Sequence, residues 1–121
     1  MIKRHRLMEN NITKNDIDVL IRFLKKRTVL TQSKNVFNFE KKWSRWLGVK
    51  YSVFVNSGSS ANLLSINSLK YYLNKNDKRN EIIVPSLTWS SDINAIIQNN
   101  FKPVFADISL KTLSLSLEEI K

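Results

Sequence analysis

The sequence predicts an α/β fold in which a parallel-type sheet is flanked by helices. Three short, continuously apolar runs, near 51–55, 81–84 and 103–107, have the composition of strands that are covered on both faces. Segments with helical spacing separate these runs, and strands that alternate with helices are typical of a parallel sheet. The predicted order of elements is therefore α-α-β-α-β-α-β.

The first helix is predicted to begin after Thr13, because Asp16 follows three residues later in a helix-capping arrangement. Apolar side chains then recur at positions i, i+3, i+4 and i+7, which is the spacing of one helical face. These side chains are Ile17, Leu20, Ile21 and Leu24. The segment is therefore predicted to form an amphipathic helix.

The second helix is predicted to end at Gly48, since glycine is a natural stop for a helix. The apolar residues before this glycine again follow helical spacing. They are Val36, Phe39, Trp43, Trp46 and Leu47. We expect Trp43 and Trp46 to be core or subunit-contact residues.

The third helix, over 56–73, has apolar residues nearly all round, so we expect it to be covered on several sides. A polar loop is predicted at 75–80. The pattern at 117–121 is typical of the opening turns of another helix.

The segment 53–64 is the most informative part of the sequence, because an apolar strand runs through a turn of small residues directly into a helix. The first N–H groups of a helix have no partner within it, and the helix dipole adds positive charge there. Such a corner is suited to a phosphate. Gly58 lets the backbone approach closely, and Ser59 and Ser60 add hydroxyl donors. Taken alone, such a turn is more often a plain connection.

A second landmark, Trp89, follows the next apolar strand along the chain, in the segment 85–89 with the sequence PSLTW. In open α/β sheets, ligands sit just outside the carboxyl ends of the strands. A phosphorylated planar ring could stack on Trp89 while its phosphate is held at Gly58 to Ser60. The alternative for Trp89 is a buried core residue.

These segments resemble the DegT-type (DegT/StrS-like) sugar aminotransferases, which are pyridoxal 5′-phosphate (PLP) enzymes of fold type I that act on nucleotide-linked keto sugars. The resemblance begins at about Asn11 and continues in unbroken order to the last residue. It rests on the segments 56–61, 83–89, 94–96 and 102–107, with further matches at 30–31, 39–40 and 47–51. The resemblance implies that Gly58, Ser59 and Ser60 bind the cofactor phosphate and that Trp89 stacks on the pyridine ring.

The resemblance covers only the amino-terminal part of the family's large domain. We expect a flexible N-terminus at 1–12, and the resemblance implies a partial PLP-dependent transferase large domain at 13–121. The lysine that forms the family's Schiff base, and the aspartate that pairs with the pyridine nitrogen, normally lie further along the chain. We therefore expect a truncated gene product or a fragment, and we assign no catalytic residue and no metal ligand.

Three functions stay open for the chain. The first is a PLP-dependent aminotransferase for a nucleotide-linked keto sugar in cell-surface polysaccharide or deoxyaminosugar biosynthesis, present here as an N-terminal fragment. The second is a PLP-dependent 3-dehydratase of a nucleotide-linked 4-keto-6-deoxy sugar, a branch of which 56–64 is reminiscent. The third is an inactive remnant, or a module that binds a phosphate-bearing ligand or a partner chain. The resemblance also implies a nucleotide-sugar substrate, an amino donor and a homodimer in the parent enzyme.

Composition argues against several other classes of protein. The net charge is +10, but the 20 Lys and Arg residues are dispersed and no nucleic-acid-binding signature accompanies them. No apolar run approaches the ~20 residues that are needed to cross a bilayer. No secretory signal pattern opens the chain, and there is no cysteine for a disulfide or a thiolate metal site. The expected location is the cytoplasm.

Overall fold

The computed structural model describes residues 8–73, 77–118 and 120. The chain divides into two compact units, of which the first ends at Ser52 and the second begins at Val53. Each unit is considered by itself.

The first unit contains helix α1, Lys14–Lys25, which begins where the sequence predicts. The Thr13 hydroxyl accepts a hydrogen bond from the Asp16 N–H at 3.3 Å, and the Asp16 carboxylate accepts one from the Thr13 N–H at 2.8 Å. This reciprocal capping box satisfies two donors that a helix start otherwise leaves open. The predicted apolar stripe is present, but its four side chains remain about half exposed in the described structure.

Helix α2, Lys34–Leu47, ends at Gly48 as predicted. Gly48 has a φ of 74°, the left-handed conformation that glycine adopts without steric penalty. The Trp43 ring lies 5.9 Å from the Phe39 ring and 4.9 Å from the Trp46 ring, centroid to centroid. Trp46 is nevertheless 74% exposed, so it is not a core residue in the described structure. A subunit contact stays a prediction for this tryptophan.

The predicted strand at 51–55 is wrong for the described structure, which has no regular secondary structure over these residues. An apolar run becomes a strand only where a neighbouring edge supplies ladder hydrogen bonds. The parallel pairing that forms in this chain joins the other two predicted strands to each other.

The second unit begins with helix α3, Gly58–Tyr72, followed by strand β1, Glu81–Pro85, and helix α4, Ser90–Gln98. Strand β2, Lys102–Ala106, then lies parallel to β1, with the pairing running from Glu81 opposite Lys102 to Pro85 opposite Ala106. This α-β-α-β order agrees with the prediction. Short strands β3, Ile108–Ser109, and β4, Ser114–Leu115, pair as an antiparallel hairpin that the sequence did not indicate.

The core of the second unit lies where α4 meets β1 and β2. Among the described residues, its buried apolar side chains are Val84, Ala95, Ile96 and Ala106. Helix α3 packs against α4 but has no buried residue of its own. The expectation that α3 is covered on several sides is therefore wrong for the part of the chain described.

Two further expectations concern segments that are only partly described. Residues 77–80 of the predicted polar loop have no regular structure, and 74–76 lie outside the described residues. At the C-terminus, 117, 118 and 120 are in turns and form no helix, whereas 119 and 121 lie outside the described residues. Among the helices that are described, none has both the length and the apolar character that a membrane span requires.

Candidate functional site

The first turn of α3 is capped by Ser57, whose extended backbone leads into the helix. The Ser57 hydroxyl oxygen accepts a hydrogen bond from the Ser60 N–H at 3.1 Å, and the Ser57 carbonyl accepts one from the Ala61 N–H at 3.0 Å. In the part of the chain that is described, no protein acceptor contacts the N–H groups of Gly58 and Ser59. These two backbone donors are therefore available to an anion at the positive end of the helix dipole.

The three predicted phosphate-binding residues are thus not equivalent. The Ser60 hydroxyl donates a hydrogen bond to Asn56 Oδ1 at 2.7 Å, and its N–H is held by Ser57. Gly58 and Ser59 keep their donors open. The sequence analysis included Asn56 and Ser57 in this segment but gave them no role, although serine just before a helix is a recognised N-cap signal.

Gly58 is not required by the protein's own packing. A Cβ atom built on this residue meets no atom within 4 Å, and its φ is not in the left-handed region. Neither backbone strain nor a close neighbour therefore explains the glycine. The open space beside its N–H is consistent with the close approach of a ligand.

Helices α3 and α4 lie side by side and run in the same general direction. Asn62 Nδ2 donates a hydrogen bond to Asp92 Oδ1 at 2.6 Å near the start of both helices. Further along, Asn67 Nδ2 donates to Asn99 Oδ1 at 2.8 Å, beside the end of α4. The first turns of the two helices consequently meet at one end of the unit, the end at which β1 leads into α4.

A groove of about 360 Å³ runs between these helices and contains both predicted serines. Its lining residues are Ser59, Ser60, Leu63, Ser90, Ser91, Asn94, Ala95 and Gln98. The structure therefore brings the small-residue turn of α3 together with the start of α4. None of the lining side chains is titratable, so hydroxyl and amide groups supply the polar chemistry of the groove.

Trp89 occupies the N-cap position of α4 and is 78% exposed. The alternative of a buried core tryptophan is therefore wrong for the described structure. The indole lies beside Leu87 and Thr88 in a separate shallow depression and does not line the groove between the helices. The two sequence landmarks thus start neighbouring helices, while their side chains make no contact with one another among the described contacts.

The carboxyl end of the parallel pair fixes the path of the chain towards Trp89. The Ser86 N–H donates a hydrogen bond to the Ala106 carbonyl at 2.9 Å, and the Ser86 hydroxyl donates to Asp107 Oδ1 at 3.2 Å. The segment between β1 and α4 is therefore tied to the end of β2. No cluster of His, Asp or Glu suited to a metal ion occurs in the ranges 8–73, 77–118 and 120.

Comparison with known proteins identifies the family to which the chain is similar. Residues 10–121 match the DegT/DnrJ/EryC1/StrS aminotransferase family. The GDP-4-keto-6-deoxy-D-mannose 3-dehydratase of Yersinia pseudotuberculosis is 38% identical over 94 residues, which are 77% of this chain and 24% of that protein.

Two solved structures have the same fold. The Escherichia coli GDP-4-keto-6-deoxy-D-mannose-3-dehydratase with bound hydrated PLP has a TM-score of 0.78 and 30% identity, covering 95% of this chain and 30% of that one. Helicobacter pylori PseC, an aminotransferase involved in the biosynthesis of pseudoaminic acid, has a TM-score of 0.71 and 27% identity, covering 93% and 32%.

The chain thus spans about a quarter of the length of the curated relative and about a third of the solved structures. The likeness to these structures confirms the predicted α/β fold, which is that of fold type I enzymes. The resemblance drawn from the sequence motifs is also confirmed. This chain belongs to the DegT/DnrJ/EryC1/StrS aminotransferase family.

Proposed function

We propose that this chain supplies the phosphate-binding turn and the ring-stacking surface of a PLP-dependent enzyme that acts on a nucleotide-linked keto sugar. One observation carries the proposal. Two open backbone donors, at Gly58 and Ser59, start the helix that lies beside α4, and α4 begins at an exposed indole, Trp89. The family membership of the chain supports PLP as the ligand.

The residues present fit a phosphate. Backbone N–H groups at a helix start are suited to an anion, and the Ser59 hydroxyl adds a further donor. The space beside Gly58 is open, so a phosphate oxygen can approach its N–H closely. The Trp89 ring is exposed and is available to pack against a planar ring. Aromatic rings favour such contacts in offset-stacked or edge-to-face arrangements.

In this proposal the described residues hold and orient the cofactor but transfer no proton. PLP, when bound, supplies an electron-withdrawing ring that assists bond breaking at the neighbouring carbon of the substrate. Gly58 and Ser59 fix the phosphate, and Trp89 keeps the ring flat against the protein. Because the side chains that line the groove do not titrate, proton transfer belongs to other groups of the active enzyme.

Among the reactions of the family, we favour 3-dehydration of a nucleotide-linked 4-keto-6-deoxy sugar. The support is the relatedness to two proteins with that activity, from Yersinia pseudotuberculosis and Escherichia coli. The aminotransferase function, which the sequence alone placed first, is the second candidate, since the family description and Helicobacter pylori PseC support it. In either case a homodimer, a nucleotide-sugar substrate and an amino donor belong to the proposal.

The two reactions are separated by their products. An enzyme preparation that contains this chain is incubated with PLP, an amino donor and a GDP-linked 4-keto-6-deoxy sugar, and the sugar is examined by mass spectrometry. Loss of the 3-hydroxyl oxygen supports the dehydratase, whereas exchange of the keto oxygen for an amino group supports the aminotransferase. An unchanged sugar contradicts both and favours the inactive remnant.

Cofactor binding is tested on the chain itself with pyridoxine 5′-phosphate, which has no aldehyde to react with surface lysines. We expect it to bind at least tenfold more tightly than pyridoxine, because a charge-assisted hydrogen bond contributes roughly 1.5–3 kcal/mol. Equal affinity for the two compounds, measured by NMR titration, would show that the chain does not bind the phosphate group.

Gly58→Pro provides a matched variant for this titration. Proline is favoured at the first helical position, and the extended backbone of Ser57 allows a proline to follow. The substitution removes one N–H donor and keeps the helix, so we expect affinity for pyridoxine 5′-phosphate to fall about tenfold. Gly58→Ala keeps the N–H and is the control for a change of residue alone.

A further inference from the structure

Asp92 contacts three residues of the second unit, two through its carboxylate and one through its backbone N–H. Its Oδ1 accepts a hydrogen bond from Asn62 Nδ2 of α3 at 2.6 Å, and its Oδ2 accepts one from the Thr88 hydroxyl. The Asp92 N–H donates to the Trp89 carbonyl at 3.0 Å. Asp92 therefore contacts the residue before Trp89, Trp89 itself and the neighbouring helix.

This arrangement replaces the usual cap of α4. Trp89 occupies the N-cap position, but its indole makes no capping hydrogen bond. The acid in the first turn instead holds Thr88, one residue earlier, while its negative charge lies at the positive end of the helix dipole. Asp92 consequently contacts Thr88 through its side chain and Trp89 through its backbone N–H.

The bond between Asn62 and Asp92 is partly shielded from solvent. Both residues are half-buried and line a small cavity of about 240 Å³ on the β1 side of the helix pair, together with Ile83, Val84 and Ile96. A hydrogen bond in such surroundings is stronger than one at an open surface. The contact is thus suited to hold α4 in a fixed relation to α3.

The same two helices have a second contact that involves none of Gly58, Ser59 and Trp89. Asn67 Nδ2 donates to Asn99 Oδ1 at 2.8 Å, and Asn99 also donates to the Leu63 and Ala95 carbonyls. This second contact lies at the far end of α4 from Trp89. It provides a control for an effect that comes only from helix packing.

We propose that Asp92 is a positioning residue for cofactor binding: through Thr88 and Asn62 it fixes the Trp89 indole relative to the open N–H groups of Gly58 and Ser59. The effect on cofactor affinity rests on the proposed function, whereas the placement of Trp89 does not. Asp92 touches no reacting atom in this proposal and acts entirely through its neighbours.

The test uses the full chain labelled with ¹⁵N and follows the Trp89 indole N–H resonance, assigned with Trp89→Phe. In Asp92→Ala and Asn62→Asp we expect this resonance to shift. The first substitution removes the acceptor of both bonds, and the second places two carboxylates together. Affinity for pyridoxine 5′-phosphate should fall about fivefold, which is the factor expected from losing an aromatic contact.

The exchange Asn62→Asp with Asp92→Asn restores a carboxylate–amide pair in the opposite sense. We expect it to return both the indole resonance and the affinity towards the values of the unmodified chain. This double variant also covers the case in which Asp92→Ala fails to fold. Asn67→Ala should lower the midpoint of thermal unfolding but leave the Trp89 resonance in place.

Two results would overturn the proposal: an indole resonance that stays unchanged in Asn62→Asp, or one that moves equally in Asn67→Ala. If pyridoxine 5′-phosphate does not bind to the unmodified chain, the proposed cofactor-binding function is wrong. The indole resonance still decides whether Asp92 positions Trp89. The two failures are therefore distinguishable.

Discussion

The starts of helices α1 and α3 have similar caps but different consequences. At α1, the Thr13 hydroxyl and the Asp16 carboxylate satisfy each other's backbone N–H groups. At α3, the Ser57 hydroxyl satisfies the Ser60 N–H, and the third helical residue is a serine with no carboxylate to return the bond. Among the described contacts, both starts leave the N–H groups of their first two helical residues without a protein acceptor. They differ in charge, because the Asp16 carboxylate lies in the first turn of α1 and the first turn of α3 has no acidic residue. A helix start is thus not a site in itself, because a carboxylate in its first turn already occupies the positive end of the dipole and repels a second anion.

After that of Gly58→Pro, the largest expected effect on ligand affinity concerns Trp89, the aromatic partner of the α3 terminus. Trp89→Ala should weaken binding of pyridoxine 5′-phosphate about fivefold, because an aromatic pair contributes ~1 kcal/mol beyond its buried area. Trp46→Ala is the matched control, since Trp46 is 74% exposed and Trp89 is 78% exposed. Titration of both variants measures the difference. Equal affinities would mean that Trp89 is not part of the site.

Removing the two caps sharpens the comparison between the helix starts. Ser57→Ala and Thr13→Ala should each reduce the free energy of unfolding by about 1 kcal/mol, the usual cost of losing an N-cap side chain. Only Ser57→Ala should also weaken the binding of pyridoxine 5′-phosphate, because the first turn of α3 then frays. Thermal unfolding and ligand titration of the same two variants separate the effects. A loss of affinity in Thr13→Ala would contradict the assignment of the site to α3.

A chemical prediction concerns the lysines of the chain. No lysine here stands in the serine-rich context that the family uses to hold PLP covalently. Treatment with PLP and borohydride, followed by peptide mapping, should therefore give scattered, substoichiometric modification. One lysine labelled stoichiometrically would show a covalent site that this account lacks.

The smallest expected effect is a difference in acid sensitivity. Hydrogen bonds from the Thr13 hydroxyl and then from the Thr13 N–H lower the pKa of the Asp16 carboxyl below its ordinary value of 3.8. A lowered pKa in the folded chain means that the cap's contribution is present above that ordinary value and is lost as pH falls through the lower one. The cap of α3 contains no carboxylate.

We therefore expect the amide resonances of Thr13 and Asp16 to change as pH falls below about 4. Those of Ser57 and Ser60 should remain unchanged over the same range. An NMR titration follows both pairs in one sample. If the amide resonances of both pairs change over the same pH range, the chain unfolds as a whole and the loss is not confined to the α1 cap.

Local patterns in the sequence predicted the parts of the structure that depend on neighbouring residues. Three such features are the capping box at Thr13, the helix end at Gly48 and the small-residue turn at Gly58. Each involves only a few consecutive positions, so it can be predicted without tertiary information. The exposure of Trp89 was left open by the sequence because burial depends on elements far along the chain.

The features that the sequence did not predict depend on distant partners. The segment 51–55 has strand composition, but a strand requires a neighbouring edge that composition cannot supply. The bond between Asn62 and Asp92 joins residues 30 positions apart, and no periodicity indicates it. The N-cap role of Ser57, by contrast, could have been predicted from the sequence, since serine directly before a helix is a frequent cap.

The most direct test of the account is a ¹⁵N NMR titration of the full chain with pyridoxine 5′-phosphate. We expect the amide resonances of Gly58 and Ser59 and the indole resonance of Trp89 to shift together, with a single dissociation constant, while those of Thr13 and Asp16 stay in place. Shifts spread over the many basic surface residues, or shifts at the start of α1 equal to those at α3, would contradict it.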